Sequence, residues 1–353
     1  MISILAVAAL AVALLLLAGT LYQRLAAARD LRRYPPPGRL IDIGGRRLHL
    51  LEKGTKPPTV VFESGLPGSV LSWFRVQEDL SHLVRSVAYD RAGLGWSDPG
   101  EEPRSAEKIT EELRCLLRRA GIAPPYILVG HSFGGLTTRL YAARYPDEVA
   151  ALVLLDPAVP GEWVPLSERE KRRLAVGARL CRRAALLARF GLTRLIGLLI
   201  RVGALRVAKM AVRLITGGAM ADATSRIAPL EKLPPEQRSI VHTFWLQSKF
   251  YEAMAGQMEA LPESAAQVAR AGDHLEATPV VVISAGNTTP QRLAEQLSIV
   301  RHSWHGRHLV ARSCGHWIQL DDPDLVTGAI LEVIADLGRP PRKGGSPASS
   351  LVH

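Results

Sequence analysis

The chain has 353 residues, enough to bury a large core and to hold one big domain with an insertion. Apolar residues make up 47% and charged residues 22%, which excludes a disordered chain. Three scattered cysteines, Cys115, Cys181 and Cys314, exclude a disulfide framework and a structural zinc site, and the formal charge of +11 is spread unevenly.

Met1 to Tyr22 carries no charged side chain. As a helix it spans roughly 33 Å, enough for a bilayer core of about 30 Å. It lacks a basic leading segment and exceeds the usual apolar length of a cleaved signal, so it reads as a transmembrane anchor. Cleavage near Ala18 is the alternative and would make the protein periplasmic or secreted. Arg24, Arg29, Arg32 and Arg33 follow, opposed only by Asp30, and place the rest of the chain on the cytoplasmic side. Residues 23–39 read as a basic, proline-rich linker, with Pro35-Pro36-Pro37-Gly38 as a stiff spacer.

From residue 40 the pattern alternates. Leu40–Ile43 and Arg47–Leu51, joined through Gly44-Gly45, predict an antiparallel hairpin. Thr59–Phe62, Ser86–Tyr89, Tyr126–Val129 and the run from Glu148 to Leu155 predict short buried strands, with an amphipathic helix over 108–119 and another through Tyr145. Strand, loop and helix in this order mean an α/β fold with a mostly parallel sheet and helices on both faces. Residues 158–278 are helical with Gly and Pro breaks, and read as an inserted cap. Strand character returns at Pro279–Ser284 and His308–Ala311, with helices at about 290–299 and 324–336. Residues 338–353 form a Gly, Pro and Ser-rich tail expected to be disordered.

Within the cap, residues 171–221 hold twelve Lys or Arg and no Asp or Glu. The apolar stretches 185–188 and 195–200 between these charges argue against a nucleic-acid partner and for an anionic membrane surface. A solvated basic face on an ordinary helical subdomain is the plainer reading.

Gly130-His131-Ser132-Phe133-Gly134 lies between an apolar strand and a helix. Small residues on both sides allow a sharp turn that lifts the Ser132 hydroxyl above the sheet edge as a nucleophile. The amide of Phe133, at the positive end of the new helix, is one expected oxyanion donor. The second is expected from the loop after the first parallel strand, at the amide of Leu66, where Gly65 permits close approach. No dinucleotide fingerprint or phosphate-binding lysine is present, and neither a cofactor nor a metal is implied.

The segments Val61–Ser69, Tyr89–Asp98, Leu128–Gly135 and Ser313–Gln319 resemble the capped α/β-hydrolase family in order and spacing. The resemblance covers residues 40–157 and 279–337. It implies a serine hydrolase in which His316 takes the Ser132 proton. The family's usual acid position, after the strand that follows the cap, holds Ser284-Ala285-Gly286-Asn287 and no carboxylate. Asp156, at the end of the preceding strand, is the alternative acid used by some relatives, and Asn287 is a second candidate for orienting the ring. His131 reads as structural or as a pocket wall, and Asp90-Arg91 as a tie between the glycine-rich turn and the core.

Family members cleave esters, lactones, amides or carbon–carbon bonds, so the substrate stays open. Relatives that are dehalogenases or epoxide hydrolases carry Asp where this chain has Ser132. A carboxylic ester, lipid-like or hydrophobic, is the leading expectation, cleaved by a carboxylesterase or lipase-like enzyme. A peptidase of the proline iminopeptidase type would need acidic cap residues such as Glu162, Glu168, Glu252 and Glu259 to hold a free amine. A non-enzymatic binding member of the fold is the third reading, and the oligomeric state is not legible.

Overall fold

The computed structural model describes residues 2–201 and 230–337. The second part of the basic block, from residue 202, and the expected tail lie outside the described residues.

Helix α1 (Ile2–Arg33) is long and apolar enough to cross a membrane. Its apolar part ends near Tyr22, yet the helix continues for three more turns. The expected linker is therefore helical over its first eleven residues. Gln23 to Arg33 contains only helix-compatible side chains, and a change of polarity does not break a helix. Pro35 and Pro36 stop it.

Eight strands form one sheet: β1 (Arg39–Asp42), β2 (Arg47–Lys53), β3 (Thr59–Glu63), β4 (Arg85–Tyr89), β5 (Tyr126–His131), β6 (Val149–Leu155), β7 (Val280–Ala285) and β8 (Gly306–Ala311). Their order is β1-β2-β4-β3-β5-β6-β7-β8. The expected hairpin is present as β1 and β2, with Leu40 opposite His49, and β2 meets β4 antiparallel. All remaining pairs are parallel.

The central strands β3, β5 and β7 are buried along their whole length, as continuous apolar runs require. Alternate side chains feed two cores. Phe62, Val129 and Val153 face one, closed by α2 (Phe74–Leu80) and α12 (Pro323–Asp336), which follows the short helix α11 (Ile318–Asp321). Val61, Leu128 and Leu154 face the other, closed by α3 (Ala106–Arg119), α4 (Phe133–Arg144) and α10 (Pro290–Arg301).

Between β6 and β7 the chain leaves the sheet for a helical insert. Its described helices are α5 (Glu168–Arg189), α6 (Leu192–Arg201), α7 (Pro235–Phe244), α8 (Ser248–Glu259) and α9 (Leu261–Ala271). The insert is tied down by Arg139 on Asp273 at 2.7 Å and by the edge-on stacking of Trp96 with Phe244 at 4.8 Å. Lys249 adds hydrogen bonds to the carbonyls of Gly95 and Ser97, and its burial pushes its pKa down to about 8.

Candidate active site

Ser132 occupies the turn between β5 and α4 at φ 54° and ψ −119°, a conformation that L residues avoid. Its neighbours explain the glycines around it. A Cβ at Gly134 would lie 2.3 Å from the Glu63 carbonyl oxygen, and one at Gly130 would lie 2.5 Å from the Thr138 hydroxyl. The strained turn is pinned from both sides. Ser132 N–H donates to the Leu155 carbonyl at 3.0 Å, and its own carbonyl accepts from Gly135 and Ala158, both at 2.9 Å.

The sheet order sets β6 beside β5, so the residue after β6 faces the elbow. That residue is Asp156, which is 3% exposed and also carries a positive φ of 37°. His316, in the loop between β8 and α11, lies between the two. Its Nε2 is 2.9 Å from Ser132 Oγ, and its Nδ1 is 2.6 Å from Asp156 Oδ2. The structure thus brings Ser132, His316 and Asp156 into one hydrogen-bonded line. Asn287 does not join it: its side chain is exposed, and Nδ1 of His316 is already engaged by Asp156.

The loop after β7 contributes to the site in another way. Thr288 Oγ1 and Gln296 Nε2 each donate to Asp156 Oδ1 at 3.0 Å. Arg292 lies 3.5 Å from Oδ2 and donates to the Asp156 carbonyl at 2.6 Å. Burial works against the charge on Asp156. The hydrogen bond from His316, the Arg292 guanidinium and the Gln296 amide outweigh it and hold the carboxyl well below the usual carboxylate range. An ionised Asp156 can therefore accept a hydrogen bond from Nδ1–H of His316 and leave Nε2 free to take the serine proton. Thr288, Arg292 and Gln296 are absent from the sequence analysis, which draws only Asn287 from this segment.

His131 is buried and donates from Nε2 to the His316 carbonyl at 2.8 Å, with its ring against both His316 and Trp317. Burial, with His316 close by, pushes its pKa far down and keeps it neutral. It braces the loop that carries His316.

Asp90 ties its turn together, accepting from Val70 N–H at 2.9 Å and from Trp96 N–H at 3.1 Å, with His49 at 2.8 Å. Arg91 does something the sequence reading misses. Its guanidinium donates to the Gly65 carbonyl at 2.5 Å and lies 5.0 Å over the Phe133 ring, touching both loops expected to donate to an oxyanion. A trans peptide points its C=O and N–H in opposite directions, so anchoring the Gly65 carbonyl turns the Leu66 N–H away from Arg91. Gly65 itself abuts the nucleophile: a Cβ there would lie 2.9 Å from the Ser132 Cβ. Beneath Arg91, burial raises the Glu63 carboxyl to about 7, with Arg91 at 3.4 Å and the Tyr89 hydroxyl as its partners.

A small cleft of about 30 Å³ is lined by Pro67, Leu71, Leu233, Val241, Trp245 and Trp317, of which Pro67 and Trp317 are the chain neighbours of Leu66 and His316. A larger concavity between Arg114, Arg118, Arg119 and Tyr145 lies at the far end of α3, away from this chemistry.

A serine, a histidine and a carboxylate meeting at a strained strand-to-helix turn, on the carboxyl edge of a parallel sheet, are the arrangement characteristic of the α/β-hydrolase fold. A family model described as the alpha/beta hydrolase fold matches residues 58–323, and the chain belongs to that family. YqjL, an uncharacterized protein of Bacillus subtilis, is 37% identical over 107 residues, covering 30% of this chain and 42% of YqjL. The chain spans less than half the length of the first curated relatives it matches. Among solved structures, the haloalkane dehalogenase DatA from Agrobacterium tumefaciens superposes with a TM-score of 0.61 at 17% identity, over 85% of this chain and 96% of DatA. A thermophilic esterase from Thermogutta terrifontis superposes with a TM-score of 0.56 at 20% identity, over 83% of this chain and 95% of the esterase. At these identities the likeness is one of fold.

Proposed function

We propose that the chain is a serine hydrolase that cleaves a hydrophobic carboxylic ester through an acyl-enzyme on Ser132. The observation that carries the reading is the continuous line from Ser132 Oγ through His316 to Asp156, at 2.9 and 2.6 Å. His316 takes the serine proton as Oγ attacks the ester carbonyl, then passes it to the departing alcohol. The amides of Leu66 and Phe133 receive the oxyanion. Water, deprotonated by His316, then releases the acid. Ser132 favours this chemistry over the dehalogenase chemistry of relatives that carry Asp at the elbow.

The apolar side chains next in the chain to Leu66 and His316, Pro67 and Trp317 with Trp245 and Leu233 across from them, favour a hydrophobic acyl or alcohol group. The peptidase reading is weakened because the glutamates it needs are already engaged. Glu252 pairs with Arg189, Glu259 with Arg182, Glu168 with Lys171, and Glu162 with Arg292. Helix α1, with its arginines gathered in its C-terminal third, fits an anchor that holds the catalytic domain on the cytoplasmic side.

The test is hydrolysis of p-nitrophenyl esters of graded chain length by the full chain, with Ser132→Ala as the blank. Turnover that rises with acyl length and vanishes in the variant supports the proposal. Turnover of aminoacyl amides with no ester hydrolysis would replace it with the peptidase reading.

A further inference from the structure

Helix α1 does not leave the molecule as a free tether. Gly19 packs so closely on the bend between α5 and α6 that a Cβ there would lie 2.5 Å from the Phe190 carbonyl oxygen. One turn on, Tyr22 lies against Gly191 of the same bend. Gln23 is buried: its amide donates to the Leu246 carbonyl at 2.9 Å and accepts from Arg194 at 2.8 Å. Arg194 also pairs with Asp30 at 2.6 Å, and Trp96 donates to the Tyr34 carbonyl at 2.9 Å. The contacts run from Gly19 to Tyr34, so the lower half of α1 is built into the insert.

This fixes a depth. A hydrocarbon core of about 30 Å takes roughly twenty helical residues at about 1.5 Å each. The uncharged apolar run ends at Tyr22, before Gln23 and Arg24, so the near edge of that core falls at the level of Gly19 to Tyr22, where the α5–α6 bend is packed. Helix α6 therefore starts at the edge of the hydrocarbon. Its outward side chains, Leu195, Ile196, Leu198 and Leu199, are 50%, 44%, 56% and 36% exposed. Arg194, the one charge among residues 192–199, is turned inward onto Asp30 and leaves that face wholly apolar. The neighbouring turns of α5 expose Leu186 and Leu187 beside Arg183. An apolar face flanked by arginine suits the boundary between acyl chains and anionic headgroups.

We propose that the outward face of α6, with the end of α5, is seated in the interfacial layer of the membrane that α1 spans, and that its partner is the lipid surface. This rests on α1 spanning the membrane. The clamp then sets the height of the small apolar cleft beside Trp317, because Leu246, held by Gln23, adjoins Trp245 in its wall.

The test places a single cysteine, carrying an environment-sensitive fluorophore, at Leu198, Leu14 or Leu83 of the full chain with the native cysteines replaced. Each protein is reconstituted in phosphatidylcholine vesicles with a minor share of phosphatidylglycerol, with and without lipid spin-labelled high in the acyl chain. Strong quenching at Leu198 and at most weak quenching at Leu83 is expected. Gly19→Leu, which pushes the bend off α1, should relieve the quenching at Leu198 and leave Leu14 in lipid. Leu14 in lipid with Leu198 as unquenched as Leu83 would overturn the proposal. Leu14 in water would instead overturn the spanning of the membrane, and this seat with it.

Discussion

Replacing Asp156 by Asn probes the relay with little change of shape, and the structure dictates how the new amide sits. Thr288 and Gln296 both donate to Oδ1, so an asparagine keeps its oxygen there and turns its NH2 toward His316. That NH2 cannot accept a hydrogen bond from Nδ1–H. The ring must then expose its Nδ1 lone pair to the amide and carry its proton on Nε2, facing Ser132. A protonated Nε2 cannot serve as base. In a serine protease the equivalent change costs about 10⁴ in kcat, or roughly 5 kcal/mol at about 1.4 kcal/mol per tenfold. The assay is steady-state turnover of a soluble ester by wild type, Asp156→Asn and Asn287→Ala, well below the melting temperature of each. A fall of about 10³ to 10⁴ in kcat is expected for Asp156→Asn, with Asn287→Ala close to wild type. If Asp156→Asn keeps turnover within tenfold of wild type, or Asn287→Ala loses as much, the reasoning is refuted.

Arg91→Lys should lower kcat by roughly ten- to a hundredfold with little change in KM, because a loosened Gly65 carbonyl misaims a donor that acts mainly in the transition state. An unchanged kcat in the folded variant would reduce Arg91 to a core tie. Asp156 also makes a prediction in acid. Its pKa is lowered in the folded state from 3.8, so its stabilisation is full above that value and is lost as pH falls through and below it. The melting-temperature gap between wild type and Asp156→Asn should therefore shrink from about pH 6 to about pH 3. A constant gap would mean that the carboxylate gains nothing from being charged.

The parallel sheet is legible in the sequence because β3, β5, β6 and β7 are buried apolar runs followed by turn residues. The nucleophile turn is legible because close backbone approach demands glycine at 130 and 134. Asp156 is legible as a strand-end carboxylate. Its supporting set is not, since Thr288, Arg292 and Gln296 reach it only because β7 lies beside β6 and α10 packs across them. Arg91 is hidden for a similar reason: nothing local to the turn shows that its side chain reaches the Gly65 loop, 26 residues back in the chain. The anchor's docking depends on Gly19, Gln23 and Arg194 meeting across 171 residues between Gln23 and Arg194, beyond any local pattern. The helix beyond Tyr22 is a different case, because its residues do favour helix and only the change of polarity suggests a linker.

The central claim, that Ser132 is an activated nucleophile, is tested most directly by labelling the full chain with a fluorophosphonate and locating the adduct by peptide mass spectrometry. The account predicts a single adduct on Ser132, none on Ser132→Ala, and markedly slowed labelling of Asp156→Asn. An adduct on another residue, or ester hydrolysis by Ser132→Ala near the wild-type rate, would contradict it.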